Sequence, residues 1–201
     1  IRGPMRLEAL SELVRQVAAV LEEAHQLGVV HRDIKPDNIF LVEVSPKPVA
    51  KVLDFGIAKI FETATEGTLV TKTGAVMGTP GFMSPEQTLS TKNVDFRTDL
   101  YSLGVVCYYA LTGHLPFEQS GKLPAWMQLT SGSHVPASQR VEGVPEELDA
   151  WFATALARQP DDRFRSAREF ATSFSDACWP GEEEPTMMMS RNMFAPLQAA
   201  A

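Results

Sequence analysis

The segment His31-Arg32-Asp33-Ile34-Lys35-Pro36-Asp37-Asn38 sets an acid, a cation and an amide close together, and Asp54-Phe55-Gly56 brings a second acid sixteen residues after Asn38. The β-branched runs Val29-Val30, Ile39 to Val42 and Val49 to Leu53 surround these polar groups, with Ser45-Pro46-Lys47-Pro48 between the last two. Short apolar runs bounded by turn residues read as strands, and the last two as a hairpin. Upstream, Leu10, Leu13, Val14, Val17, Leu21, Ala24 and Leu27 recur at steps of three and four. That spacing predicts an amphipathic helix over roughly Leu7 to Leu27, stopped by Gly28. The polar groups therefore belong on loops between short strands, with a long helix beneath them.

The remainder is helical in pattern. Leu100, Leu103, Val105, Val106 and Tyr109 make Asp99 to Leu111 a nearly continuous apolar helix ended by Thr112-Gly113, and a helix apolar on all sides belongs in a core. Pro145 to Ala157 and Ser166 to Ala177 carry two more helical periods, separated by Gln159-Pro160-Asp161-Asp162-Arg163-Phe164. Residues 57–82 differ: Thr63, Thr65, Thr68, Thr71, Thr73 and Thr79 alternate with glycine and small residues without a period. So long a loop is uncommon unless it has a function. Residues 182–201 are biased and aperiodic and read as a disordered tail. The pattern predicts a mainly α fold with short β-hairpins at the loops that carry the polar groups.

Composition removes several classes. With 201 residues, 44% of them hydrophobic and 21% charged, the chain suits one globular domain with a sizeable core. A net charge of −7 gives no reason to expect nucleic acid. Leu103 to Leu111 is about half the ~18 residues a membrane span requires, so no membrane segment is expected in this chain. Two cysteines, Cys107 and Cys178, make no disulfide framework and suit a cytoplasmic, reducing compartment. A longer parent could still be anchored through another segment.

Asp33, Lys35, Asn38 and Asp54 match what phosphoryl transfer needs: a carboxylate for the attacking hydroxyl, a cation for the moving phosphate and two oxygen ligands for Mg²⁺. Their motifs resemble the catalytic and metal-binding loops of eukaryotic-type protein kinases, in the bacterial-like serine/threonine branch. The resemblance covers about residues 5–177, with 1–181 as the large C-terminal lobe of a kinase domain. It implies ATP and Mg²⁺ as cofactors and proteins with Ser/Thr acceptors as substrates. Under it, Asp33 is the base, Lys35 neutralises charge on the γ-phosphoryl group, Asn38 and Asp54 hold the metal, and Phe40 lies under adenine. His31 and Phe55 pack together as structural residues. Arg32 marks a kinase switched on by loop phosphorylation, with Thr71 and Thr73 as the modified residues, and a dimer in the full-length parent would allow this to occur in trans. Thr79 helps to seat the acceptor. Glu86 lies in Ser84-Pro85-Glu86, where the family usually has Ala-Pro-Glu, and is expected to pair with Arg163. Asp99, opening the buried helix, is expected to cap the backbone around His31 and Arg32.

A kinase small lobe also supplies a Gly-rich loop, a strand Lys and a helix Glu. No Gly-x-Gly-x-x-Gly occurs, and the only lysines before Asp54 are Lys35, Lys47 and Lys51. The chain therefore reads as the large lobe alone. Two readings follow: a fragment of an active serine/threonine kinase, or an inactive large-lobe remnant that binds proteins. A small-molecule phosphotransferase is disfavoured, since relatives of that kind usually carry His-Gly-Asp where this chain has His31-Arg32-Asp33.

Overall fold

A computed structural model describes residues 4–44, 47–55, 80–89, 94–117 and 134–181. The loop expected over 57–82 lies outside them except at Pro80–Phe82, a single 3₁₀ turn, and the tail over 182–201 lies outside them entirely. Helix α1 spans Leu7–Gln26 and buries Leu10, Leu13, Val14, Val17 and Leu21, the stripe the spacing predicts. Gly28 has φ +74°. Its N–H donates to the His25 carbonyl and the Val29 N–H to the Ala24 carbonyl, each at 2.9 Å. These are the two bonds of a Schellman cap, for which glycine is the least strained residue. The cap corrects one expectation: Val29 spends its N–H closing the helix, and Val29-Val30 forms no strand.

Strands β1 (Ile39–Val42) and β2 (Val49–Val52) form the expected antiparallel hairpin, with Ile39 opposite Val52 and Val42 opposite Val49. Ile39 and Ala50 face the core, while Phe40, Val44, Val49 and Leu53 are exposed on the other face. Helix α1 holds the hairpin through Gln16. Its Oε1 accepts from the Ala50 N–H at 2.7 Å and its Nε2 donates to the Pro48 carbonyl at 3.2 Å. The side-chain amide thus pairs with the β2 edge as a neighbouring strand would.

Helix α2 (Pro85–Leu89) precedes α3 (Arg97–Thr112), which is buried along almost its whole length and ends at Gly113 with φ +74°. α3 starts before Asp99, so Asp99 sits in its first turn and does not open it. At Gly104 a Cβ would lie 3.1 Å from the Ala155 Cβ, so glycine lets α3 close on α4 (Glu146–Ala155). Helix α5 (Ala167–Cys178) begins with a Ser-x-x-Glu device: Ser166 Oγ accepts from the Glu169 N–H at 3.0 Å, and Glu169 Oε2 accepts from the Arg165 N–H at 2.6 Å. It packs along α1, where the Arg168 N–H donates to Glu22 Oε2 at 3.0 Å. Trp151 fills the space between α4 and α5, its ring centroid 4.6 Å from that of Phe170 and 4.8 Å from that of Phe174.

Both cysteines are buried and reduced. Burial first, and the neighbouring Cys178 second, push the Cys107 thiol up, so little nucleophilic thiolate forms near neutral pH. Iodoacetamide should therefore leave Cys107 unmodified in the folded chain over a time that fully labels it in urea. Equal labelling rates in both states would contradict this packing.

Candidate active site

The 3₁₀ turn Pro36–Asn38 folds Asn38 back onto Asp33. Proline suits the first position of such a turn because its missing N–H would have had no partner there. Asn38 Nδ2 donates to the Asp33 carbonyl at 2.8 Å and to Asp33 Oδ2 at 3.0 Å, and Lys35 Nζ lies 2.9 Å from the same Oδ2. The Asp33 and Lys35 side chains keep 23% and 21% of their exposure, enough to meet a ligand. With its nitrogen committed to Asp33, the Asn38 side chain has Oδ1 left to offer.

The residue before one acid, and the other acid itself, carry unusual backbone. Arg32 has φ +63° and Asp54 φ +55°, a region that costs a non-glycine residue on the order of 1–3 kcal/mol and persists only where neighbours enforce it. At Arg32 the enforcement comes from Asp99. Its Oδ1 accepts from the Arg32 N–H and its Oδ2 from the His31 N–H, each at 2.8 Å, and His25 Nε2 lies 2.9 Å from Oδ2. The Arg32 carbonyl accepts from Gln87 Nε2 at 2.9 Å. Arg32 Nε is buried and finds no hydrogen-bond partner among the described residues.

At Leu53, before Asp54, the N–H donates to the Asn38 carbonyl at 2.9 Å, extending the β1–β2 pairing by one bond. The Leu53 carbonyl accepts from His31 Nε2, also at 2.9 Å. His31 is fully buried, and its Nδ1 accepts from the Asp33 N–H at 3.2 Å, so the ring proton sits on Nε2. One imidazole thereby ties the Asp33 loop to the Asp54 loop. Its ring lies 4.7 Å from that of Phe55. Phe40 is 51% exposed on the outer hairpin face, opposite Lys51.

Farther out, Arg163 Nη1 and Nη2 donate to Glu86 Oε1 and Oε2 at 2.7 and 2.8 Å. The guanidinium also reaches the carbonyls of Ala157 (2.7 Å), Arg158 (3.0 Å) and Arg97 (3.1 Å), and lies 4.7 Å from the Tyr101 ring centroid. Thr71, Thr73 and Thr79 lie outside the described residues. Two site residues escape sequence reasoning, His25 and Gln87. Each acts through a bond to a residue 74 or 55 positions away, and no local spacing marks them.

Among the described residues no cluster of three or more His, Cys, Asp or Glu could cage a metal. Asn38 and Asp54 offer two oxygens beside a partly open loop. That set fits Mg²⁺, which takes one or two protein oxygens and completes its shell with phosphate and water.

An acid, a cation and an amide held together, and tied through His31 to the turn that bears a second acid, on helices with a single hairpin among the described residues, suit a protein kinase. The sequence pattern described as "Protein kinase domain" matches residues 2–174, and the chain belongs to that family. Within it the similarity is to bacterial serine/threonine kinases. The chain is 40% identical over 175 residues to the serine/threonine-protein kinase Pkn1 of Myxococcus xanthus, covering 87% of this chain and 25% of that one. It is 41% identical over 167 residues to PknB of Mycobacterium leprae, covering 83% of this chain and 26% of that one. It thus spans about a quarter of the length of these relatives. The solved kinase domain of Mycobacterium tuberculosis PknI superposes with a TM-score of 0.62 at 26% identity, covering 87% of this chain and 57% of that one. Rad53 1–466, solved in complex with AMP-PNP, gives a TM-score of 0.66 at 26% identity, covering 85% of this chain and 40% of that one. Kinases of this family use ATP and Mg²⁺ generally. No helix among the described residues is long and apolar enough to cross a membrane.

Proposed function

We infer that the protein of which this chain is part transfers the γ-phosphoryl group of ATP to serine or threonine hydroxyls of other proteins, working in the cytoplasm. The observation that carries this reading is the hydrogen-bonded set of Asp33, Lys35 and Asn38, joined through His31 and Leu53 to the Asp54 turn. In it Asp33 orients the acceptor hydroxyl and takes its proton, which needs a carboxylate within hydrogen-bond reach of the reacting oxygen. Lys35, already beside Asp33, neutralises charge on the transferred group. Asn38 Oδ1 and the Asp54 carboxylate would hold Mg²⁺, which would supply neutralisation of the charge on the nucleotide phosphates. Phe40 offers an exposed apolar ring to the adenine. The alternative, an inactive protein-binding remnant, leaves the assembled Asp33, Lys35, Asn38 and Asp54 without a use.

Regulation belongs to the same reading. Arg32, whose buried Nε has no hydrogen-bond partner among the described residues, suits a phosphothreonine, since guanidinium and phosphate form strong charge-assisted bonds. Thr71 and Thr73 accept that phosphoryl group from ATP and carry it, modified in trans within a dimer of the parent, and Thr79 seats the acceptor residue. Peptide mapping of the complete kinase after incubation with ATP and Mg²⁺ should place phosphate on Thr71 or Thr73. Phosphate confined to residues 182–201 would overturn this assignment. The 201-residue chain alone should transfer little phosphate, because it carries no Gly-rich loop and no lysine ahead of Lys35 to hold the nucleotide from a small lobe. Robust autophosphorylation at catalytic amounts would show that it needs neither.

A further inference from the structure

Arg32 stands directly before Asp33 in a left-handed conformation. A non-glycine residue held there lies outside the regular helix and ladder patterns, so its partly buried N–H and C=O find partners elsewhere. The N–H goes to Asp99 and the C=O to Gln87 Nε2. That carbonyl belongs to the Arg32–Asp33 peptide, whose N–H goes to His31 Nδ1. Both polar ends of the peptide that aims Asp33 are therefore held by buried side chains.

Gln87 is 7% exposed, and its other amide atom is also engaged. Gln87 Oε1 accepts from the Ser84 N–H at 3.0 Å and from Ser84 Oγ at 3.3 Å. The Arg32 carbonyl can only accept and the Ser84 N–H can only donate, so the amide has a single satisfactory orientation. Ser84 Oγ continues to Thr98 Oγ1 at 2.6 Å, in the first turn of α3. The neighbouring Glu86 is fixed by Arg163. Helix α2 is thus staked to α3 and to Arg163, and Gln87 carries that anchorage to the peptide preceding Asp33.

We propose that Gln87 is a positioning residue for phosphoryl transfer, holding the Arg32–Asp33 peptide in register with α2. The proposal rests on the kinase reading above. It also gives Ser84 a purpose: a hydroxyl where the family usually has alanine completes the strut from α3 to Gln87.

The test compares three variants. Gln87→Glu keeps an acceptor for the Ser84 N–H but sets a carboxylate oxygen against the Arg32 carbonyl. Gln87→Met removes both bonds at similar length. Ser138→Ala, far from the loop, removes the hydroxyl bond to Asp149 and serves as a stability control. In the complete kinase both Gln87 variants should lower kcat about tenfold or more, with KM for ATP within about twofold. Ser138→Ala should lower the melting temperature and leave kcat unchanged. In the 201-residue chain, amide hydrogen exchange over residues 31–34 should quicken about tenfold in Gln87→Met and stay at the wild-type rate in Ser138→Ala. Gln87 variants that match Ser138→Ala in either kcat or exchange would overturn the proposal. A wild-type kinase that transfers no phosphate would instead sink the kinase reading, and the exchange result would still decide whether Gln87 clamps the loop.

Discussion

Asp33→Asn in the complete kinase should lower kcat by about 10²- to 10⁴-fold, the usual range for losing a positioned proton acceptor. KM for ATP and the melting temperature should change little. The substituted amide oxygen can still accept from Lys35 Nζ and Asn38 Nδ2, which now share Asp33 Oδ2. The side chain is partly exposed, so removing its charge leaves no dry, unpaired ammonium behind. The contrast between lost turnover and intact folding is the diagnostic. Near-normal turnover would remove Asp33 from the role of base, whatever the motif around it.

Arg163→Met should destabilise the chain by roughly 3–5 kcal/mol, as expected when one partner of a buried pair is removed. Its guanidinium side chain is fully buried, while Glu86 keeps 18% exposure, which favours the lower end of that range. The loss leaves the Glu86 carboxylate and the carbonyls of Ala157, Arg158 and Arg97 without their donor. Urea denaturation of the chain would show it as a lower midpoint at unchanged slope. A change below about 1 kcal/mol would mean that the pair behaves like an exposed ion pair.

Much of this architecture is legible from residue order because it repeats locally. The α1 stripe, the apolar run of α3 and the short β-branched runs of β1 and β2 with a turn between them each reveal themselves within a few residues. The pairing of Glu86 with Arg163 is legible only through the family resemblance, since 77 positions separate them. Helix α2 is too short to display a period. Val29-Val30 has the composition of a strand but the hydrogen bonds of a helix cap, because Gly28 turns the chain before a ladder can form. His25 and Gln87 are ordinary helix residues by sequence. Their meaning comes from the left-handed Arg32, whose backbone groups no regular element can serve.

The left-handed turns at Arg32 and Asp54 have one further consequence. Arg32 is held against its torsional preference by bonds from Asp99 and Gln87, and Asp54 follows Leu53, whose N–H and C=O are pinned by Asn38 and His31. The working loop is therefore a latched geometry whose relaxed form lies elsewhere. Freeing any one latch gives the backbone a downhill route away from alignment. An idle conformation of this lobe then requires no new contacts to be built; it is where the chain goes when it is let go.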